Sequence, residues 1–252
     1  MIYNSYAPIY DAIGQGAFAA QLVVHLLAAR AAPPRRVLDL ACGTGAAALA
    51  LARTGAEVVG LDHSGPMLHI AQGRARDEGL PIRFIEADMR QLTTCFSADH
   101  EGAYDLVTCL YDSLNYLTDP NDLLQVFQGV AKLVTPDGQF IFDLNSEYEY
   151  ANWDDCDQVV YDANGILVYN RLNYNPDTRC ARGQIVWFSY DGNLWWRGAE
   201  EHLQRAWSEA EVGAALSAAG FVLHERRTPT WQSAAPDAKR VVYLCGRNWY
   251  NA

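Results

Sequence analysis

Several patterns are missing from this sequence of 252 residues, and each absence excludes a class of protein. The chain has no block of lysine and arginine, and its 19 basic against 30 acidic residues give a formal net charge of −11. Because such a surface repels phosphate groups, we expect no binding to nucleic acid or to an anionic membrane. The six cysteines form no C-x-x-C pair and have no metal-ligand spacing, so we predict reduced thiols and no metal site.

Long hydrophobic runs are absent as well. The most apolar segment, residues 17–32, is interrupted by Gln21, His25 and Arg30 and is too short to span a bilayer. The N-terminus has no basic region followed by an apolar stretch, which argues against a secretory signal. The sequence therefore predicts a cytoplasmic protein.

The chain does contain a regular alternation of short apolar strands and helices. The predicted helices cover residues 18–27, a segment ending near 53, residues 65–76 with Ser64 as cap, and residues 120–133 after the cap Asp119. The predicted strands cover residues 36–40, 56–61, 82–86, 104–110 and 139–144, the last one after a turn at 136–138. This alternation predicts an α/β protein with a Rossmann-like, mostly parallel sheet and helices on both faces.

The pattern changes after residue 145. Turn signals at Asn164-Gly165, 175–177 and 191–193 separate strand-like runs, which predicts an inserted antiparallel β meander of about four strands. A capping box at 208–211 then starts a helix, and two more strands follow. We therefore predict three parts: an N-terminal helical lid (1–32), a core (33–145 and 207–252) and a β cap (146–206).

A glycine turn, Gly43-Thr44-Gly45, lies between the first strand and its helix, where glycines let a ligand approach the backbone. Asp62, 19 residues after Gly43, stands where a dinucleotide-binding protein has its ribose-binding acid. Asp39, inside the strand before the turn, suits a cation better than a pyrophosphate. Asp88 ends the third strand and can accept a hydrogen bond from an adenine amino group.

Four segments carry a family resemblance: Val37–Gly45, Val59–Leu68, Ile85–Arg90 and Tyr104–Thr108. In this order and spacing they resemble the first four landmarks of class I S-adenosylmethionine-dependent methyltransferases. Residues 133–140 resemble the turn into that family's fifth strand. The resemblance covers residues 36–145 by motif and 207–252 by topology alone. It implies a seven-stranded sheet with a reversed last strand, and S-adenosylmethionine as cofactor.

The resemblance also implies roles for individual residues. Asp39 would face the amino group of the donor, and Asp62 would hold both ribose hydroxyls. Asp88 and Met89 would bracket the adenine, with His63 at its edge. The implied cofactor-binding residues are Asp39, Ala41, Gly43, Gly45, Asp62, His63, Met67, Asp88, Met89 and Leu110.

The acceptor is less clearly indicated. The Asn/Asp-Pro-Pro-aromatic motif of amino-methylating relatives is not matched after the fourth strand. The tyrosine-rich N-terminus and residues 112–117 resemble small bacterial methyltransferases near the amino-sugar N,N-dimethyltransferases and glycine N-methyltransferase, which act on small molecules. We accordingly expect a small-molecule N or O acceptor, methylated by in-line displacement.

Three groups of side chains are candidates for the chemistry. Tyr6 and Tyr10, four residues apart, would share one face of a helix and lie over the donor sulfonium. His202 is the candidate general base. The candidate substrate contacts are Asp112, Asn115 and Arg205.

Two other functions fit parts of the pattern. The glycine turn and Asp62 also suit a nicotinamide-dependent oxidoreductase, although that reading gives Asp88 no role. A non-catalytic module could bind the same donor as a structural ligand. The inserted β meander could likewise bury its aromatic residues in a homodimer instead of covering the acceptor site.

Overall fold

A computed structural model describes residues 2–153 and 156–247. The helices are α1 Ala7–Tyr10, α2 Gln15–Ala29, α3 Ala46–Ala52, α4 Gly65–Asp77, α5 Leu92–Cys95, α6 Pro120–Leu133, α7 Glu147–Tyr150 and α8 Glu209–Ala218. The strands are β1 Arg36–Leu40, β2 Glu57–Asp62, β3 Arg83–Glu86, β4 Tyr104–Cys109, β5 Val134–Asn145, β6 Cys156–Ala163, β7 Ile166–Asn175, β8 Cys180–Tyr190, β9 Trp195–Arg205, β10 Phe221–Arg227 and β11 Arg240–Arg247. The last residues of the predicted core, 248–252, lie outside the described residues.

Seven strands form the main sheet, in the order β10-β11-β5-β4-β1-β2-β3. Neighbours from β5 to β3 pair in parallel, whereas β11 runs antiparallel to both β5 and β10. The predicted α/β fold with a reversed last strand is confirmed. Since parallel strands end at the same edge, the carboxyl ends of β1 to β4 meet at the place where ligands bind in open α/β sheets.

Local sequence explains where the helices begin. Ser64 accepts the N–H of Met67 at the start of α4, and Asp119 accepts the N–H of Asn121 at the start of α6. The capping box at Ser208 starts α8. All three starts agree with the sequence-based expectation.

Strand β5 begins earlier than expected. The turn predicted at 136–138 lies within it, and the pairing with β4 jumps from Val134, opposite Tyr104, to Gln139, opposite Leu106. The proline, aspartate and glycine therefore form a bulge in the strand rather than the turn that precedes it.

The insertion forms a separate antiparallel sheet in the order β6-β7-β8-β9. Its three hairpins turn where the sequence predicts, and the predicted meander is confirmed. One buried cluster joins this sheet to the rest: Tyr6 and Tyr10 of the N-terminal segment pack with Met67 of α4 and with Val168 and Trp187 of the insertion. The N-terminal segment is thus held between core and insertion.

Within the described ranges, no helix is both long and apolar enough to cross a membrane.

Candidate active site

The glycine turn adopts a backbone that side chains disfavour. Gly43 and Gly45 have φ angles of +54° and +81°, in the left-handed region that favours glycine. A Cβ on Gly45 would lie 3.0 Å from the Cβ of Ala71 in α4, whereas a Cβ on Gly43 would meet no described atom within 4 Å. Gly45 therefore allows close helix packing, and Gly43 leaves an open path for a ligand above the turn.

Asp62 at the end of β2 fixes the shape of this turn. Its Oδ2 accepts the N–H of Gly43 and its Oδ1 accepts the N–H of Ser64, both at 2.8 Å. Burial raises the pKa of Asp62, although these hydrogen bonds oppose the shift. Each carboxylate oxygen retains a second lone pair, so Asp62 can still accept hydrogen bonds from a ligand.

Asp39 lies beneath the turn, inside β1. It is buried, and its Oδ1 accepts the hydroxyl hydrogen of Thr108 at 2.7 Å, while Oδ2 has no hydrogen-bond partner among the described residues. Burial raises the pKa of Asp39 to about 7; the Thr108 hydroxyl opposes this shift and the charge of Asp62 adds to it. An unpartnered buried carboxylate oxygen is costly, which suits a site that a cationic group completes.

Asp88 follows β3 and is already paired. The guanidinium of Arg90 contacts it at 2.6 Å and also reaches Asp122 at 2.9 Å. Hydrogen bonding to Arg90 lowers the pKa of Asp88, so this carboxylate stays ionised. Any ligand group at Asp88 therefore shares it with Arg90.

These residues surround a cavity of about 400 Å³. Eight of the ten implied cofactor residues line it: Ala41, Gly43, Asp62, His63, Met67, Asp88, Met89 and Leu110. Asp39 and Gly45 support the turn from behind. The residues fit S-adenosylmethionine, because acidic acceptors, an open path above Gly43 and the unpartnered oxygen of Asp39 match its hydroxyl, amino and sulfonium groups.

The N-terminal segment contacts the glycine turn and helix α4. The Ser64 hydroxyl contacts the side chain of Asn4 at 3.1 Å. Asp11 accepts a hydrogen bond from Thr44 of the glycine turn at 3.0 Å and pairs with Arg74 of α4 at 3.0 Å. Residues 2–11 are therefore anchored across the cavity.

Tyrosines form another part of the cavity wall. The tyrosines that line the cavity are Tyr3, Tyr10, Tyr111 and Tyr116. Tyr6 lies behind them, fully buried, with its ring centroid 5.1 Å from that of Trp187. The structure thus brings Tyr10 to the cavity, while Tyr6, whose ring contacts that of Tyr10 at a centroid distance of 6.4 Å, packs behind it.

His202 is buried in β9, outside the set of cavity-lining residues in the described chain. Its neighbours Glu201 and Leu203 line the cavity instead. The Nδ1 atom of His202 lies 2.8 Å from the Tyr116 hydroxyl. His202 therefore lies behind the cavity wall, in contact with Tyr116 and with Tyr3, whose ring centroid is 4.9 Å away.

The three predicted substrate contacts serve other partners. Asn115 donates to the carbonyls of Asn145 and Arg205 and accepts the N–H of Asn145, which ties β5 to β9. Arg205 pairs with Glu211 at 2.7 Å and covers the ring of Trp207. These side chains join structural elements, and the structure does not bring them to the cavity.

Asp112 belongs to a buried network that the sequence interpretation missed. Asp143 of β5 accepts the N–H groups of Tyr111 and Asp112, and Arg240 of β11 pairs with both Asp143 and Asp112, at 2.6 and 2.8 Å. Gln204 donates to the other oxygen of Asp112 at 2.6 Å. An acid inside an apolar strand, the signal that singled out Asp39, was also present at Asp143.

Comparisons with known proteins agree with this geometry. The family model described as "Methyltransferase domain" matches residues 37–138. The proposed methyltransferase YqeM of Bacillus subtilis (strain 168) is 32% identical over 241 residues, which cover 95% of this chain and 94% of YqeM.

Solved structures extend the likeness over the whole chain. An S-adenosylmethionine-dependent methyltransferase from Clostridium acetobutylicum ATCC 824 is 26% identical with a TM-score of 0.84, covering 98% of this chain and 100% of that one. The sugar N-methyltransferase KedS8 from Streptoalloteichus sp ATCC 53650 shares the fold at 20% identity and a TM-score of 0.72, covering 98% and 93%. With the sequence likeness to YqeM and a site that fits the donor, the chain belongs to the class I methyltransferases, enzymes that transfer methyl groups from S-adenosylmethionine.

Proposed function

We propose that this enzyme methylates a nitrogen or oxygen atom of a small molecule. The observation that carries the proposal is a single cavity in which the donor-binding loops face a tyrosine wall and an anchored N-terminal segment. Its volume of about 400 Å³ is near the lower end of the roughly 300–1,000 Å³ typical of small-molecule sites. A site that already holds the donor leaves room for a small acceptor only.

Donor binding follows from the strand ends. We assign Asp62 to the ribose hydroxyls, since its two oxygens have free lone pairs at the cavity. Asp88, Met89 and His63 would surround the adenine, and Asp39 would face the ammonium group of the donor. Ala41, Gly43, Gly45, Met67 and Leu110 would shape the path between them.

The protein's chemical task is alignment. S-adenosylmethionine supplies a methyl group that a sulfonium activates, so the chain has to hold the acceptor in line with it. Such alignment contributes roughly 7–11 kcal/mol in well-oriented systems. Tyr10, which lines the cavity, would face the sulfonium, and the buried Tyr6 would position it. The apolar wall would exclude water.

The acceptor class has further support. The name of KedS8, which shares the fold, describes a sugar N-methyltransferase. The net charge of −11 disfavours a nucleic-acid acceptor. We propose action on a soluble metabolite in the cytoplasm, with residues 146–206 as the cap that selects it; dimerisation through this insertion is the alternative.

Calorimetry and a turnover assay test the proposal. The purified protein should bind S-adenosylmethionine and its demethylated product, but not NAD. With labelled donor, a panel of amines, amino sugars and hydroxylated metabolites should contain at least one methylated compound. Donor binding with methylation of a protein or nucleic acid, and of no panel member, would contradict the small-molecule acceptor.

A further inference from the structure

A chain of hydrogen bonds leads from the cavity wall into the insertion. The hydroxyl groups of Tyr3 and Tyr116, which both line the cavity, lie 2.7 Å apart. The Tyr116 hydroxyl lies 2.8 Å from Nδ1 of His202. Beyond the ring, Nε2 of His202 faces Oε2 of Glu200 at 3.6 Å and has no hydrogen-bond partner among the described residues.

We propose that these side chains form a proton relay, which carries the proton of the acceptor from Tyr3 through Tyr116 to His202. This inference rests on the proposed function and narrows its substrate class. A relay is useful only for a nucleophile that enters with a proton to lose, such as a hydroxyl or an ammonium group. The enzyme is therefore assigned an acceptor that must be deprotonated.

The relay requires one particular set of donors and acceptors. Tyr3 donates to the Tyr116 hydroxyl, which donates to Nδ1 of His202. Nδ1 is then the unprotonated nitrogen, and Nε2 carries the hydrogen that points toward Glu200. In this tautomer a lone pair of the Tyr3 oxygen remains to receive a proton from the acceptor.

The step is balanced. For a hydroxyl acceptor, a lone pair of its oxygen bonds to the methyl carbon while the carbon–sulfur bond breaks and its electron pair stays on sulfur. An ammonium acceptor first gives its proton to the relay, and the lone pair that this frees then bonds to the methyl carbon in the same way. The acceptor's proton moves to the Tyr3 oxygen, the Tyr3 proton moves to Tyr116, and the Tyr116 proton moves to Nδ1. The products are the methylated acceptor, two unchanged phenols and an imidazolium on His202.

The charges around these hydrogen-bonded side chains support proton transfer toward His202. Burial raises the pKa of Tyr3 and of Tyr116, so both remain neutral phenols that pass a proton on rather than lose one. Burial also acts to raise the pKa of Glu200, but the nearby His202 ring and hydrogen bonds from the N–H groups of Tyr3, Ser5 and Tyr6 outweigh it and lower the pKa. The result is a carboxylate that stabilises the imidazolium.

A purely structural role is the competing explanation. Glu200 accepts the N–H groups of Tyr3, Ser5 and Tyr6 at 2.6, 2.9 and 3.1 Å, which fastens the N-terminal segment to the insertion. If these side chains served only to attach the N-terminal segment to the insertion, the direction of the hydrogen bond between Tyr116 and His202 would not matter. The relay requires one direction, so a measurement of that direction can refute it without any acceptor.

The first experiment is ¹⁵N NMR of the histidine side chains in the protein bound to S-adenosylhomocysteine, with the His202 signals assigned from His202→Gln. We expect Nδ1 unprotonated and Nε2 protonated. Tyr116→Phe should shift the Nδ1 signal, whereas Tyr174→Phe should not, because that hydroxyl bonds Glu147 elsewhere in the insertion. A protonated Nδ1, or a signal that Tyr116→Phe leaves in place, would overturn the relay.

The second experiment measures initial rates with labelled donor and two probes, glucosamine and catechol. Loss of a general base typically costs 10²–10⁴-fold, so Tyr116→Phe and His202→Gln should each lower kcat at least about 100-fold for any probe that wild type methylates. The donor KM should stay within about twofold, and Tyr174→Phe should match wild type. An unchanged kcat, or a loss that follows a lowered melting temperature, would refute the relay. If wild type methylates neither probe, the acceptor panel decides the proposed function, and the histidine tautomer still decides the relay.

Discussion

The two ends of the cavity are built in different ways. At the donor end, the Asp62 side chain bonds Gly43, only 19 residues away. At the acceptor end, Tyr116 bonds His202 across 86 residues, and Tyr3 bonds Glu200 across 197. A donor site can therefore be encoded in short consecutive motifs, while the acceptor site exists only after distant segments meet.

The largest expected effect comes from the network that supports the acceptor end. Arg240→Met would leave Asp112 and Asp143 buried without their cation, which typically costs about 3–5 kcal/mol. Urea denaturation should show this loss in the free energy of unfolding. Arg227→Met, which removes a half-exposed pair with Glu225, is the control and should cost about 0–1 kcal/mol. Equal losses in the two variants would show that the network is not important for stability.

The next effect tests the donor end. Asp62→Ala should weaken S-adenosylmethionine binding at least about tenfold, since charge-assisted hydrogen bonds contribute about 1.5–3 kcal/mol each. Asp88→Ala should have a smaller effect, because Arg90 already occupies that carboxylate. Calorimetry on both variants checks the order. Wild-type affinity in Asp62→Ala would mean that β2 does not end at the ribose.

The pH dependence of donor binding tests Asp39. With its pKa raised to about 7 by burial, Asp39 is ionised above that pH, and an ammonium group needs the ionised form. Donor affinity should therefore rise about tenfold from pH 5.5 to 6.5 and level off above 7. Asp39→Asn should abolish the rise, whereas Asn in place of the exposed Asp99 should preserve it.

The stability of the fold should also depend on the ionisation of Asp39, but its contribution should fall, and not rise, with increasing pH. The folded pKa lies above the value of about 4 in an unfolded chain, so the folded state binds the proton more tightly. The contribution of Asp39 is complete below pH 4 and is lost as the pH rises through 7. Asp39→Asn should reduce this decline in denaturation curves of the protein without ligand.

The smallest expected effect separates the two ends directly. His202→Ala and Arg205→Ala should leave donor affinity within about twofold, a change under ~0.4 kcal/mol, while acceptor turnover falls strongly for His202→Ala. A tenfold loss of donor affinity in either variant would show that the two ends are coupled. Normal turnover together with elution at half the wild-type mass would instead identify the insertion as a dimer interface.

The signals of the donor end are local, so the sequence could point to its residues. Glycines in a strand-to-helix turn and acids at strand ends singled out Asp39, Gly43 and Asp62, and the family resemblance supplied their expected roles in donor binding. The fold class followed from the alternation of elements. The sequence also predicted the cap residues of α4, α6 and α8, since a capping side chain bonds a backbone group within three residues.

The acceptor end could not be predicted in the same way. Alternation correctly put His202 and Gln204 on one face of β9, yet it does not say how that face meets the cavity: the structure buries His202 behind Tyr116, and Glu201 and Leu203 are the residues of β9 that line the cavity. Asn115 stands just past β4, as expected for a substrate contact, but its amide holds two strands together. The roles of His202 and Asn115 depend on contacts between segments that are distant in the sequence.

The bonds between Glu200 and residues 3, 5 and 6 also affect how the protein is made. These residues leave the ribosome before Glu200, which follows 197 positions after Tyr3. At roughly 5–20 residues per second, the interval is about 10–40 s. Strands β1 to β5 are synthesised within that time, while the N-terminal segment still lacks its partner. Attachment of the N-terminal segment across the cavity is therefore a late event in folding.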